Sequence, residues 1–153
     1  MSKKGTFVLI VTLILSLILS ACGSEEPEVV GGFEIPAIED GKFNVAMVLI
    51  GPHDDGGWSQ AHFEGLEYVA ENIPNVHTAY IENVPEGSES EQVFRSLSRK
   101  GFDLVLGTSF GYMDPMEIVA GEFPDIMYIH IDRKQHGAVL DHRLDDALQQ
   151  HVV

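Results

Sequence analysis

Eight consecutive residues, Gly51 to Trp58 (GPHDDGGW), bring together a histidine, two aspartates, a proline, glycines and the chain's single tryptophan. His53, Asp54 and Asp55, with His62 and with the His130-x-Asp132 pair, are residue types that bind metals. Structural zinc takes four well-spaced ligands, usually including cysteines, and calcium takes a denser loop of oxygens. Neither pattern is present, so no metal and no other cofactor is expected beyond a weak, adventitious ion. Phosphate binding is disfavoured as well. Gly51, Gly56 and Gly57 have neither dinucleotide-fingerprint nor P-loop spacing, no lysine follows, and two adjacent carboxylates repel a phosphate. Covalent catalysis fares no better, because Ser109 in GTSFG does not stand in a G-x-S-x-G elbow. Non-covalent recognition remains. Trp58 and Phe110 offer flat faces to an aromatic ligand, Asp55 offers an acceptor for N–H or hydroxyl groups, and Thr108, Ser109 and the amides at two helix starts offer donors. Two plainer roles stand beside these. Trp58 also lies on the apolar stripe of the following helix, and Asp55 is well placed to cap that helix.

The elements that must position these residues alternate from Phe43 onward. FNVAMVLI (43–50) is almost entirely apolar, as a strand covered on both faces would be. After it, Trp58, Ala61, His62, Gly65, Leu66, Val69, Ala70 and Ile73 recur at spacings of three and four, the signature of a helix with one buried stripe. VHTAYIENV (76–84) reads as a second strand. Ser88-Glu89-Ser90-Glu91 reads as a capping box that opens a helix burying Val93, Phe94 and Leu97 and stopping at Gly101. FDLVLGTS is a third strand that runs into a turn. Asp114-Pro115 starts a third helix with Met116, Val119, Ala120 and Phe123 inward, and IMYIHI (126–131) is a fourth strand. The βαβαβαβ order implies an α/β fold: a parallel sheet with helices on both faces, joined by right-handed crossovers. Ligands of such sheets bind beyond the carboxyl ends of the strands, where the strand order reverses. The first and third strands deliver GPHDDGGW and GTSFGYMD to that edge.

The ends of the chain read differently. Residues 1–21 form an export signal, with Lys3 and Lys4 ahead of the apolar run Phe7 to Leu19, which is short for a bilayer span of about 20 residues. Leu19-Ser20-Ala21-Cys22 matches a lipobox. Cys22 is the only cysteine, which excludes an intrachain disulfide and nominates it as the lipidation site and membrane anchor. Residues 22–42, rich in Glu, Gly and Pro, read as an acidic flexible tether. The formal net charge is −15, and losing the two lysines with the signal makes it more negative still. Nucleic acid is therefore not an expected partner.

The lipobox, the tether and VAMVLIGPHDDGGWSQAHFEGLEYV resemble the basic membrane protein (BMP) family of substrate-binding lipoproteins of ABC transporters. The likeness continues through YIENVPEGSESEQVFRSLSRKGFDLVLGTSFGYMDPMEIVAGEFPDIMYIH, about ninety residues from Phe43 to Ile131. The resemblance implies a type I periplasmic-binding-protein fold, of which residues 43–132 would be the N-terminal lobe. It also implies a purine-nucleoside-like solute, delivery to an ABC permease, no enzymatic activity, and a place on the extracytoplasmic face of the cell membrane. Position by position it nominates Asp55, Gly57 and Trp58 after the first strand, and Thr108, Ser109 and Phe110 after the third, as ligand-binding residues. Family members run to about twice this length or more, so the chain is expected to be an incomplete, single-lobe form. RKQHGAVLDHRLDDALQQHVV (133–153) departs from the family's continuation and reads as an atypical tail, the product of a truncation or frameshift. A regulatory or docking lipoprotein of the cell envelope, and an extracytoplasmic α/β enzyme, stand as the alternatives.

Overall fold

The computed structural model describes residues 28–131. The signal and lipidation assignments at 1–22 and the tail at 133–153 lie outside the described residues. The described chain runs β1 (Val29–Val30), β2 (Phe33–Glu34), β3 (Phe43–Val48), α1 (Trp58–Asn72), β4 (Val76–Ile81), α2 (Ser88–Lys100), β5 (Leu104–Gly107), a 3-10 turn (Phe110–Tyr112), α3 (Met113–Glu122) and β6 (Met127–His130). β1 and β2 form a small antiparallel hairpin, and the other four strands form one sheet in the order β4-β3-β5-β6. Every pair in that sheet is parallel. The α/β architecture expected from the alternation is therefore present.

Strand alternation decides which helix each side chain meets. Ala46 and Val48 of β3 join Val105 and Tyr128 in the larger core, against Val93, Phe94 and Leu97 of α2 and Met116 and Val119 of α3. Val45, Met47 and Leu49 point the other way, to Leu66 and Phe63 of α1. One helix thus covers one face and two cover the other. The stripe expected on α1 is less buried than its spacing implied. Only Ser59 and Leu66 are fully buried along the helix, while Trp58 is 45% and Ile73 48% exposed. The reason is the unequal cover: Ala61, Gly65, Leu66, Val69 and Ile73 line one side of an open apolar groove of about 550 Å3, with Leu104 and Leu106 of β5 on the other.

Two local expectations are corrected. The Ser88 capping box does not form: α2 begins at Ser88 after Gly87, and the Ser88 hydroxyl donates to Glu89 rather than accepting an amide. Glu91 instead reaches Arg95, at 2.8 Å. At the other end Gly101 is left-handed, with φ 101°, and its amide and that of Phe102 both bond the Leu97 carbonyl, a close that disfavours a side chain at that position.

The second correction concerns the tether, read from sequence as running to residue 42. From Glu28 the segment lies against the lobe. Ile35 is buried and Val30, Phe33 and Ile38 pack on the larger core. Buried Asn44 fastens it, its side-chain oxygen accepting from the Glu39 amide at 2.8 Å and its side-chain amide donating to the Lys42 carbonyl at 3.0 Å. No periodicity announces this docking, because the segment is held by isolated apolar anchors and not by one face of a regular element.

Candidate functional site

The sheet order places the first and third strands side by side, with α1 leaving β3 on one face and α3 leaving β5 on the other. That is a switch point, and the register Val48↔Gly107 brings the two strands to it level. The loops 49–57 and 108–112 therefore meet there. Trp58 joins them: its indole N–H donates to the Thr108 carbonyl at 2.6 Å. The Thr108 hydroxyl donates back to the Val48 carbonyl at 2.9 Å. All six residues nominated from sequence come together on this edge, and they divide by exposure. Thr108 and Ser109 are buried, whereas Trp58 and Phe110 are exposed by 45% and 54%.

Asp55 organises its own loop. One carboxylate oxygen accepts the Gly57 and Gln60 amides at 2.8 and 3.1 Å, and the other accepts the Ser59 amide at 3.1 Å. The Gln60, Gly57 and Ser59 amides hold its carboxyl below the usual range, because hydrogen bonds to the charged form favour it. The N-cap position weighed for Asp55 from sequence falls instead on Gly57, and Asp55 reaches the Ser59 and Gln60 amides of the first turn from two residues upstream. His53 is held beside it: its amide and its Nδ1 both lie 2.8 Å from one oxygen of Glu82. Glu82 raises the imidazole's pKa and is itself lowered by His53. The His53 ring lies 4.9 Å from Phe63 and 5.5 Å from Tyr80.

The second strand's turn, E-N-V-P-E-G, clasps the third strand's loop. The Ser109 hydroxyl and the Gly111 amide both donate to one oxygen of Glu86, at 2.6 and 2.9 Å. These bonds, Ser109 first, lower the Glu86 pKa. Tyr112 is fully buried and donates its hydroxyl to the Val84 carbonyl at 2.5 Å, and burial pushes its pKa up. From the fourth strand, His130 Nε2 donates to the Ser109 carbonyl at 2.7 Å. His62 Nδ1 meets the Trp58 carbonyl at 2.7 Å, and the two rings lie 4.5 Å apart. The histidines weighed as metal ligands are thus each engaged with carboxylate or carbonyl groups, and among the described residues no three His, Cys, Asp or Glu side chains converge on one point.

Sequence reasoning missed Glu82 and Glu86. Glu82 stands near the end of the segment read as the second strand, and Glu86 in the turn that follows it. A carboxylate one strand away in space but 23 to 29 positions away in sequence leaves no local signal.

The family model described as ABC transporter substrate-binding protein, PnrA-like, matches residues 42–141, ten residues past Ile131, where the resemblance read from sequence ended. A purine-binding protein of Brucella abortus is 39% identical over 90 residues, covering 58% of this chain and 26% of that protein. A protein of Haloferax volcanii, named for glucose binding by an ABC transporter, is 40% identical over 87 residues, 57% of this chain and 22% of its own. The chain thus spans about a quarter of the length of these relatives. An ABC transporter solute-binding protein from Conexibacter woesei superimposes with a TM-score of 0.52 at 27% identity, over 56% of this chain and 28% of that one.

Proposed function

Because the chain belongs to the PnrA-like family of ABC transporter substrate-binding proteins, we propose that it carries one half of a solute site, at the joined loops 49–58 and 108–112, for a purine nucleoside or nucleobase-like ligand. The observation that carries this reading is the pair of exposed aromatic residues, Trp58 and Phe110, on loops held rigid by the Trp58–Thr108 bond and the Glu86 clasp. A large aromatic surface left in solvent on a fixed backbone suits stacking against a flat ring. Gly57, Thr108 and Ser109 shape the floor and Asp55 holds the first loop in place. The similarity to a purine-binding protein supports a purine, and the similarity to a protein named for glucose binding makes a sugar the competing ligand.

The mechanism follows from the family: one lobe meets the solute, a second closes over it, and the closed form docks on the permease. Cys22 is the proposed lipid anchor that keeps the protein on the extracytoplasmic face. One face of a clamp supplies about half the contacts. Halving the free energy of a micromolar complex leaves a Kd on the order of 1 mM, and the entropic cost of association is not halved with it. Weak binding is therefore expected of this lobe. Saturation-transfer NMR of this chain with adenosine and with glucose, each at millimolar concentration, tests the reading, with adenosine as the expected binder. Transfer to glucose and not to adenosine supports the sugar reading, and submicromolar binding of a nucleoside by this chain in calorimetry contradicts the half-site.

A further inference from the structure

Hydrogen-bond capacity at this edge is unevenly spent. The side-chain donors among the six nominated residues are the Trp58 indole N–H and the Thr108 and Ser109 hydroxyls. All are consumed inside the protein, by the Thr108 carbonyl, the Val48 carbonyl and Glu86. Asp55 is close to saturation: it takes three amides, and a carboxylate offers about four lone-pair sites.

Glu86 is different. One of its oxygens takes both the Ser109 hydroxyl and the Gly111 amide. The other has no hydrogen-bond partner among the described residues, and the residue is exposed. The two bonds fall on the neighbours of Phe110, so they fix the exposed ring and the carboxylate beside one another. Gly111 makes the approach possible, since a Cβ there would collide with the Glu86 carboxylate.

We propose that Glu86, through its uncommitted oxygen beside Phe110, is the ligand acceptor and the specificity-determining residue of this half-site. The inference rests on the nucleoside reading above and deepens it. A fixed carboxylate accepts and does not donate. It selects a solute that presents an N–H or O–H at the edge of a stacked ring, and it repels one that presents a phosphate or carboxylate there.

The test titrates adenosine and adenosine monophosphate separately into the full chain, followed by the indole N–H NMR signal of Trp58. It compares the wild type with Glu86→Gln and with Asp54→Asn, each checked for folding by circular dichroism. Glu86→Gln keeps an oxygen for Ser109 and Gly111 while replacing the free acceptor with a donor. Asp54→Asn removes an exposed charge elsewhere on the edge. The expected result is a wild-type preference for adenosine of about ten-fold or more, reduced to within about three-fold in Glu86→Gln and kept in Asp54→Asn. An unchanged preference in Glu86→Gln, an equal collapse in Asp54→Asn, or equal wild-type affinity for both compounds overturns the role of Glu86 and leaves the nucleoside reading standing. A wild type that binds neither compound overturns that reading and the inference with it.

Discussion

Replacing Tyr112 with phenylalanine removes one oxygen from a side chain with no exposed surface, and the hydroxyl it removes is the donor to the Val84 carbonyl. Val84 is itself fully buried, so water has no access to take the donor's place. The ring, its edge-on contact with Phe94 at 5.4 Å and the volume of the core all survive the change. The cost is therefore that of leaving one buried carbonyl unpaired, about 1–3 kcal/mol. For a domain of roughly this size each kcal/mol lowers Tm by about 4–8 °C, so thermal unfolding followed by circular dichroism should show a fall of roughly 5–20 °C. The loss should not be confined to stability. Tyr112 pins the turn that carries Glu86, so the Gly111 amide should exchange faster with solvent in Tyr112→Phe than in the wild type. A Tm within about 1 °C of wild type, with unchanged Gly111 exchange, would refute the claim that this bond holds the second-strand turn against the third-strand loop.

Other outcomes follow from the same geometry. Gly107→Ala places a methyl group against Met116 and 3.2 Å from the Phe94 ring, and overpacking of this kind should cost about 1–3 kcal/mol in a denaturant titration. Ile35→Ala should cost about 2–5 kcal/mol, because Ile35 is buried in the main core; a loss below about 0.5 kcal/mol would return residues 28–42 to the tether. The His53 imidazole, raised by Glu82, should titrate in an NMR pH series above the ordinary histidine value and fall back in Glu82→Gln. The sign for stability follows. The raised His53 contributes fully below its ordinary pKa and loses its contribution as pH rises through the raised value. The lowered Glu82 contributes above its ordinary pKa and loses its contribution as pH falls through the lowered value. The pair therefore stabilises the loop most between the ordinary carboxylate and imidazole ranges.

How much of this was legible in the sequence differs from element to element. β3 could be read because both of its faces are covered, which demands a continuous apolar run, and Gly101 because a helix close in the left-handed region favours one residue type. The edge location of Trp58 and Phe110 followed from topology alone. What escaped was long-range. Val30, Phe33, Ile35 and Ile38 dock singly, without a period to betray them. The groove beside α1 depends on which elements share a face, a matter the periodicity of α1 does not contain. Asp55 and Ser109 carried the right residue types for ligand contacts, yet their capacity is spent on the protein's own amides and on Glu86. The residue that spends it stands in a stretch that reads as a turn.

The central claim is that the solute meets this chain at the joined loops after the first and third strands. Amide and indole N–H shift mapping of the isotope-labelled full chain, titrated with adenosine to several millimolar, tests it most directly. The largest shifts should fall on the Trp58 indole, Phe110, Gly111 and the backbone of 55–58, with the groove residues Leu104 and Leu106 little changed. Shifts centred on the groove between α1 and β5, with Trp58 and Phe110 silent, would contradict it.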